Sequence, residues 1–225
     1  MKVLNLYACL GGNRLLWDNC EVTAVELDPE LATLYKERFP HDKVLVEDAH
    51  QYLLNNYKNF DFIWSSPPCP SHSRAKVMNS KAEVEYPDMT LYQQIIFLKH
   101  KFKGRFCIEN VVPYYEPLIA GKKRGRHIFW TNFDLPEVVT TRQCEGYMRA
   151  ENEIKLWEIF HKIDLSKYKG KQRKDKIARN LVDYETGKTI FEAARGNPRE
   201  ADNQISFFEA YEKFMEKGVS NVVED

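Results

Sequence analysis

Residues 66 to 74 read Ser66-Pro67-Pro68-Cys69-Pro70-Ser71-His72-Ser73-Arg74, which sets one cysteine between prolines on both sides. Proline fixes its own φ and restricts the residue before it, so Cys69 is held in place and does not drift into the core, where free cysteines ordinarily settle. A thiolate is a strong carbon nucleophile once nearby cations lower its pKa, and Arg74, Arg124 and Arg126 are candidates for that role. Further on, Arg105-Phe-Cys-Ile-Glu109-Asn110 ends an apolar run in an acid and an amide, a pair costly to bury without partners. Alone it would suit a structural hydrogen-bond pair equally well. Beside Cys69 it becomes a nucleophile and an acid.

Three earlier sets of residues could hold a ligand. Tyr7-Ala8-Cys9-Leu10-Gly11-Gly12 follows an apolar run and leads into Asn13. Its glycines would let the backbone pass close to a ligand, and a helix starting at Asn13 would turn N–H groups toward a carboxylate or phosphate, although a plain tight turn fits as well. Glu26, followed by Leu27, can accept from both hydroxyls of a ribose, with Asp28 read as a helix N-cap. Asp48, followed by Ala49, puts a carboxylate where an adenine amino group could donate. The three sets outline an adenosine-shaped site that suits NAD and S-adenosyl-L-methionine equally. The cysteine loop decides between them.

The elements that must position these groups follow a βαβ rhythm. Apolar or β-branched runs at Lys2–Tyr7, Val22–Glu26, Lys43–Glu47, Phe60–Ser65, Arg105–Glu109 and His127–Phe133 read as strands. Helices are expected over Asn13–Asn19, Pro29–Phe39, Ala49–Tyr57 and Thr90–Phe102, and an amphipathic closing helix over Asn203–Glu216. Such alternation predicts an α/β fold, a mostly parallel sheet with helices on both faces, whose ligands sit at the carboxyl ends of the strands. The expected division is a catalytic domain over 1–133, a small basic subdomain over 134–178 and a helical segment over 179–225 that completes the catalytic domain.

At 225 residues, with 43% hydrophobic and 29% charged, the chain has enough material for a sizeable core and is neither disordered nor fibrous. No apolar run is long enough to span a bilayer, so no membrane partner is expected, and the N-terminus is too short and polar for a secretory signal. Five cysteines without a CxxC pair argue against a disulfide framework or a metal site and for a reducing cytoplasm. Net charge is zero, yet Lys99–Arg126 and His161–Asn180 each carry eight Lys/Arg against two acids. Either stretch suits a polyanion surface or a merely solvated face.

The order of these motifs resembles the DNA cytosine carbon-5 methyltransferase family, especially its short phage-encoded type. Asn5-Leu-Tyr-Ala-Cys-Leu-Gly-Gly is similar to that family's Asp-Leu-Phe-Ala-Gly-x-Gly-Gly. Ala24-Val-Glu-Leu-Asp-Pro resembles its ribose-binding strand, Pro67-Pro-Cys its catalytic loop, Glu109-Asn-Val its Glu-Asn-Val, and Arg124-Gly-Arg126 its Arg-x-Arg element. The match runs over residues 2 to about 133. Cys9 replaces the first glycine of the opening motif, Pro70 stands where Gln is usual, and Lys122 stands where Gln usually precedes the Arg-x-Arg element. The last family motifs survive only in reduced form, around Arg179–Ala194 and Gly196-Asn-Pro.

The resemblance implies a Rossmann-like S-adenosylmethionine-dependent methyltransferase fold and methylation of a flipped-out cytosine through a covalent Cys69 adduct. Glu109 would assist at the base, Asn110 would hold the loop, and Arg126 and Arg124 would orient the base. Tyr7, Ala8, Cys9, Leu10, Gly11, Gly12, Glu26, Leu27, Asp48, Ala49 and Pro67 would contact S-adenosyl-L-methionine. The implied partner is DNA, double-stranded, with the protein a monomer in a bacterial or phage-infected cell, and the polar stretch Ala75–Met89 closing over the base. RNA methylation would use the same Cys69 and Glu109, amino-methylation would need Ser66-Pro-Pro but not Cys69, and a silent nucleic-acid-binding relative would need neither.

Overall fold

A computed structural model describes residues 1–74, 78, 83, 85–136 and 153–197. Most of the expected loop at Ala75–Met89, Cys144 and the closing helix at Asn203–Glu216 lie outside the described residues. The strands are β1 (Lys2–Leu6), β2 (Glu21–Val25), β3 (Lys43–Leu45), β4 (Phe62–Ser65), β5 (Arg105–Val111), β6 (Lys122–Arg124) and β7 (His127–Thr131). The helices are α1 (Pro29–Arg38), α2 (Ala49–Asn56), α3 (Thr90–Lys101), α4 (Glu153–His161), α5 (Lys174–Asn180) and α6 (Tyr184–Ala194). One seven-stranded sheet runs in the order β3-β2-β1-β4-β5-β7-β6. Only β7 is antiparallel to its neighbours, so the sheet is the mostly parallel, Rossmann-like one that the alternation predicts.

Side-chain alternation explains why both faces are covered. Leu4, Leu6, Ile63, Phe106, Ile108, Ile128 and Trp130 point to one face and pack beneath α2 and α3. Their sequence neighbours Val3, Phe62, Trp64, Cys107 and Phe129 point to the other face and meet Ile190, Phe191 and Ala194 of α6. On that second face α1 lays Tyr35 over Ala24 and Ala8. A strand buried on both sides is apolar along its run, as Phe62-Ile-Trp64 is, and its last residue, Ser65, is buried with its hydroxyl bonded to Gln94. No helix among the described residues is long and apolar enough to cross a membrane.

The expected helix over Asn13–Asn19 is replaced by turns. Arg14 N–H reaches back to the Gly11 carbonyl and Trp17 N–H to that of Arg14, while Asn19 takes a φ of 47°. Tertiary bonds outweigh helix propensity here. The Arg14 guanidinium holds Asp42 through two bonds of 2.9 and 3.0 Å and also donates to the Trp17 carbonyl at 2.7 Å. Trp17 stacks on Phe191 at 5.0 Å between centroids and donates its indole N–H to the Gly187 carbonyl at 3.0 Å.

Residues 153–181 form a helical layer on α1. Trp157, Phe160, Tyr168, Ile177 and Leu181 pack with Leu10 and Leu31, so the aromatics of this basic stretch serve packing. Polar ties fasten the same layer. Tyr168 Oη and Gln172 Nε2 donate to the second carboxylate oxygen of Asp28 at 2.8 and 3.3 Å, while the first oxygen caps α1 as expected. Lys169 N–H donates to Glu30 at 2.7 Å, and Lys167 pairs with Glu37 at 2.8 Å.

The first basic stretch proves to be split. Lys99, Lys101, Lys103 and Arg105 precede or begin β5, at the end of the sheet opposite its carboxyl edge. Lys122, Lys123, Arg124 and Arg126 belong to the unpredicted hairpin that β6 makes with β7, where Arg124 aligns with His127, the partner of Val111 at the far end of β5. One surface cannot collect all eight.

Gly187 of α6 lies against the backbone of Asn13, where an added Cβ would collide with main-chain atoms that cannot swing aside. Gly187→Ala should therefore destabilise the protein by about 1–3 kcal/mol, read as a lowered midpoint in thermal or urea unfolding.

Candidate active site

Leu6, Val25, Leu45 and Ser65 are register neighbours, so β1 to β4 end at one level. The segments that leave those ends line a cleft of about 1040 Å³. Tyr7 and Cys9 come from β1, Glu26, Leu27 and Asp28 from β2, Asp48, Ala49 and His50 from β3, and Ser66, Pro68, Cys69 and Pro70 from β4. The helical layer closes the opposite wall with Gly170, Lys171, Gln172, Lys176, Ile177 and Asn180.

At one end of the cleft Glu26 governs the loop. Its Oε2 accepts from Cys9 N–H at 2.8 Å and its Oε1 from Asp28 N–H at 2.9 Å. Burial raises its pKa, against the lowering effect of these bonds. Cys9 adopts a φ of 47°, a left-handed conformation that disfavours side chains, and this aims its N–H at Glu26. Burial, then the Glu26 charge, pushes the Cys9 thiol up to about 12, so it is no nucleophile. Asp48 caps α2 through Oδ1, which accepts from Gln51 N–H at 2.7 Å. Tyr7 takes a bond of 2.8 Å from Gln94, whose Oε1 in turn accepts from Ser65 at 2.7 Å.

At the other end stands Cys69, half-buried. Its loop is fixed from three directions. Asn110 Nδ2 donates to the Pro67 carbonyl at 3.0 Å, Ser73 bridges Pro113, and His72, buried, meets the Tyr115 hydroxyl at 2.6 Å. Glu109 is buried at the edge of β5, next along the sheet, with His127 Nε2 at 3.5 Å from its carboxylate. The expected activation by flanking arginines needs correction. Burial first, and the Glu109 charge second, raise the Cys69 thiol above its ordinary value, while Lys176 and Arg126 lower it. Arg74 instead donates to the Pro113 carbonyl, and Arg124 turns to the carbonyls of Leu135 and Pro136. Arg126 donates to the Arg179 carbonyl at 2.9 Å, tying the hairpin to α5.

The glycines take a different part from the one expected. Gly11, at a φ of 65°, leaves room for the rings of Phe39 and Tyr35, and Gly12 for the Val182 carbonyl. Packing within the protein requires them, and neither lines the cleft. Ala8 and Leu10 are buried in neighbouring clusters, and Pro67 lies behind Pro68, away from the lining. Sequence reasoning missed Gln94, although a glutamine among Leu91, Ile95 and Leu98 on the buried face of α3 was a readable signal. It also missed Lys171, Gln172, Lys176 and Asn180, which only the fold brings to the site.

A model of the family described as C-5 cytosine-specific DNA methylase matches residues 1–115, just over half of the chain. The chain belongs to that family. Among solved structures, a mutant of Spodoptera frugiperda DNMT2 is similar at 25% identity and a TM-score of 0.36, over 49% of this chain and 35% of that one. An S-adenosylmethionine-dependent methyltransferase from Agrobacterium tumefaciens is similar at 19% identity and a TM-score of 0.37, over 51% and 40%. The chain thus spans about a third of the length of the first and two fifths of the second. No curated protein matches the chain.

Family membership implies S-adenosyl-L-methionine as cofactor, and the cleft fits it. Its volume is that of a small-molecule site. An ionised carboxylate has about four acceptor sites, and the capacity that Glu26 keeps beyond its backbone N–H donors would face the ribose hydroxyls. Exposed Leu27 offers an apolar surface for the adenine, and Asp48 retains Oδ2 for its amino group.

If the Glu109 charge holds the thiol protonated, Glu109→Gln should speed alkylation of Cys69 at neutral pH by about three- to tenfold, the effect of removing one nearby like charge. Peptide mass spectrometry of iodoacetamide-treated protein measures it, and an unchanged rate would rule the coupling out.

Proposed function

We propose that the protein methylates carbon 5 of cytosine in DNA through a covalent adduct on Cys69. The observation that carries this reading is a loop-fixed thiol, Cys69, at one end of a cleft whose other end suits an adenosine, with the carboxyl of Glu109, buried behind the lining in β5, acting on that thiol. Cytosine is a poor carbon nucleophile unaided. Addition of the Cys69 thiolate to carbon 6, with Glu109 giving a proton or hydrogen bond at N3, turns carbon 5 into an enamine-like nucleophile and divides one high barrier into two lower ones.

The cofactor supplies the methyl group that carbon 5 takes. Loss of the proton from carbon 5 then lets the carbon–sulfur bond break, returning the electron pair to Cys69. Asn110 keeps Pro67, and with it Cys69, at a fixed height above the sheet. Arg126, anchored on Arg179, stands beside the thiol and offsets its charge. Such chemistry requires the ring to leave the duplex, at a cost of a few kcal/mol for unstacking. Lysines at the cleft mouth and in the hairpin are placed to hold phosphates, which predicts binding that weakens steeply with salt.

The test is incubation with S-adenosylmethionine and duplex DNA containing 5-fluorocytosine. A denaturant-stable protein–DNA adduct is expected, lost in Cys69→Ser. Methylated product made equally well by that variant would refute the covalent route. Parallel incubations with single-stranded DNA and duplex RNA assign the substrate, and an adduct on RNA alone would overturn the choice of DNA.

A further inference from the structure

Its surroundings raise the pKa of the Cys69 thiol, and of the three arginines expected to act on it Arg74 and Arg124 donate to backbone carbonyls while Arg126 lowers it. Three charged groups act on it from three elements: Glu109 from β5, Arg126 from the hairpin and Lys176 from α5. Elsewhere along the cleft stand the acids Glu26, Asp28, Glu30, Asp48 and Asp88, with Tyr7, Cys9, His50 and Lys171 as the remaining ionisable groups. Arg126 spends one guanidinium nitrogen on the Arg179 carbonyl.

Lys176 is placed by the packing of its neighbours. Ile177 and Ala178 are buried with Leu10 and Leu31, which fixes the rotation of α5 and sends the exposed Lys176 to the cleft side, across from the Pro68–Pro70 loop. Lys171 lines the cleft as well, whereas most other cations of this stretch are engaged. Arg173 and Arg179 share Asp175, Lys167 pairs with Glu37, and Lys174 reaches the Ser166 carbonyl. Among the described residues, Lys176 has no acidic partner within ion-pair distance.

We infer that Lys176 is a positioning residue for the reaction at Cys69: its ammonium, presented from the opposite wall of the cleft, favours the thiolate that attacks the pyrimidine ring. The inference rests on the function proposed above, and it adds a cation from α5 to Arg126, one of the three arginines that the sequence offered for that part, with Arg74 and Arg124. Because the charge arrives from a separate layer, it acts on the sulfur across the space that the target base enters. A base entering that space from the duplex passes between nucleophile and counter-charge.

The experiment follows alkylation of Cys69 by iodoacetamide from pH 6 to pH 10, read on the Cys69 peptide by mass spectrometry in the full chain without cofactor or nucleic acid. Lys176→Gln should move the apparent pKa of the thiol upward by about half a unit to one unit, as loss of one nearby opposite charge does. Lys176→Arg should restore the native value, and Lys174→Gln, which removes a charge from the same helix outside the cleft, should leave it unmoved. An unchanged midpoint in Lys176→Gln, or an equal shift in Lys174→Gln, overturns the inference. Methyl transfer by the native protein is measured beside it. Failure of that activity with the alkylation shift intact would count against the proposed function alone, whereas active protein with no shift counts against Lys176 alone.

Discussion

Because Leu6, Val25, Leu45 and Ser65 are register neighbours, the chain leaves four parallel strands along one straight edge, and every group with chemical potential is delivered there by the residues that follow. Parallel strands impose this, since each must be followed by a crossover before the next begins. The edge turns a one-dimensional order into a spatial one. Sequence segments far apart become neighbours in the order of the strands, so Glu26 stands beside the β1 loop, and the cysteine loop beside Glu109.

Two acids near the cleft, half-buried Glu26 and buried Glu109, are treated differently. Glu26 is satisfied by two backbone N–H groups from the loops it joins, so it organises the backbone while keeping acceptor capacity toward the cleft. Keeping it requires Cys9 to hold a left-handed φ, a local strain of order 1–3 kcal/mol that the surrounding packing must sustain. Glu109 instead faces a thiol whose ionisation it opposes. A carboxylate and a thiolate side by side repel, so the pair favours a state in which one of them holds a proton, the state from which a base nitrogen and a ring carbon could both be served.

Much of this was legible from the sequence, and the failures have definite causes. Strand Phe62–Ser65 was readable because burial on both faces leaves an apolar run over its first three residues, and Asp28 because an acid before proline is an N-cap signal. The turn at Asn13–Asn19 was not, because Asp42 and Gly187, which hold it, are distant in sequence. Strand β6 carries Lys122, Lys123 and Arg124, and no apolar pattern marks it. The glycine pair was noticed with two purposes left open: Gly11 and Gly12 make room for aromatic rings and for the Val182 carbonyl, which sequence spacing cannot distinguish from room for a ligand. Of the arginines offered for the cysteine, Arg126 acts on it, while Lys176, distant along the chain, was not legible as a neighbour.

The helical layer over α1 shows what a short chain gains from using one segment twice. Its apolar side completes a core with Leu10 and Leu31, and its polar side supplies a wall of the cleft. Exposed pairs such as Lys167 with Glu37 contribute little, about 0–1 kcal/mol, so the apolar contacts, with the part-buried bond of Tyr168 to Asp28, must hold the layer. Asp28 therefore links both halves of the site. One of its oxygens caps the helix that follows Glu26, and the other anchors the stretch that leads into α5. A displacement of the layer would alter the adenosine end and the thiol end together, because Gln172 and Lys176 belong to the same wall.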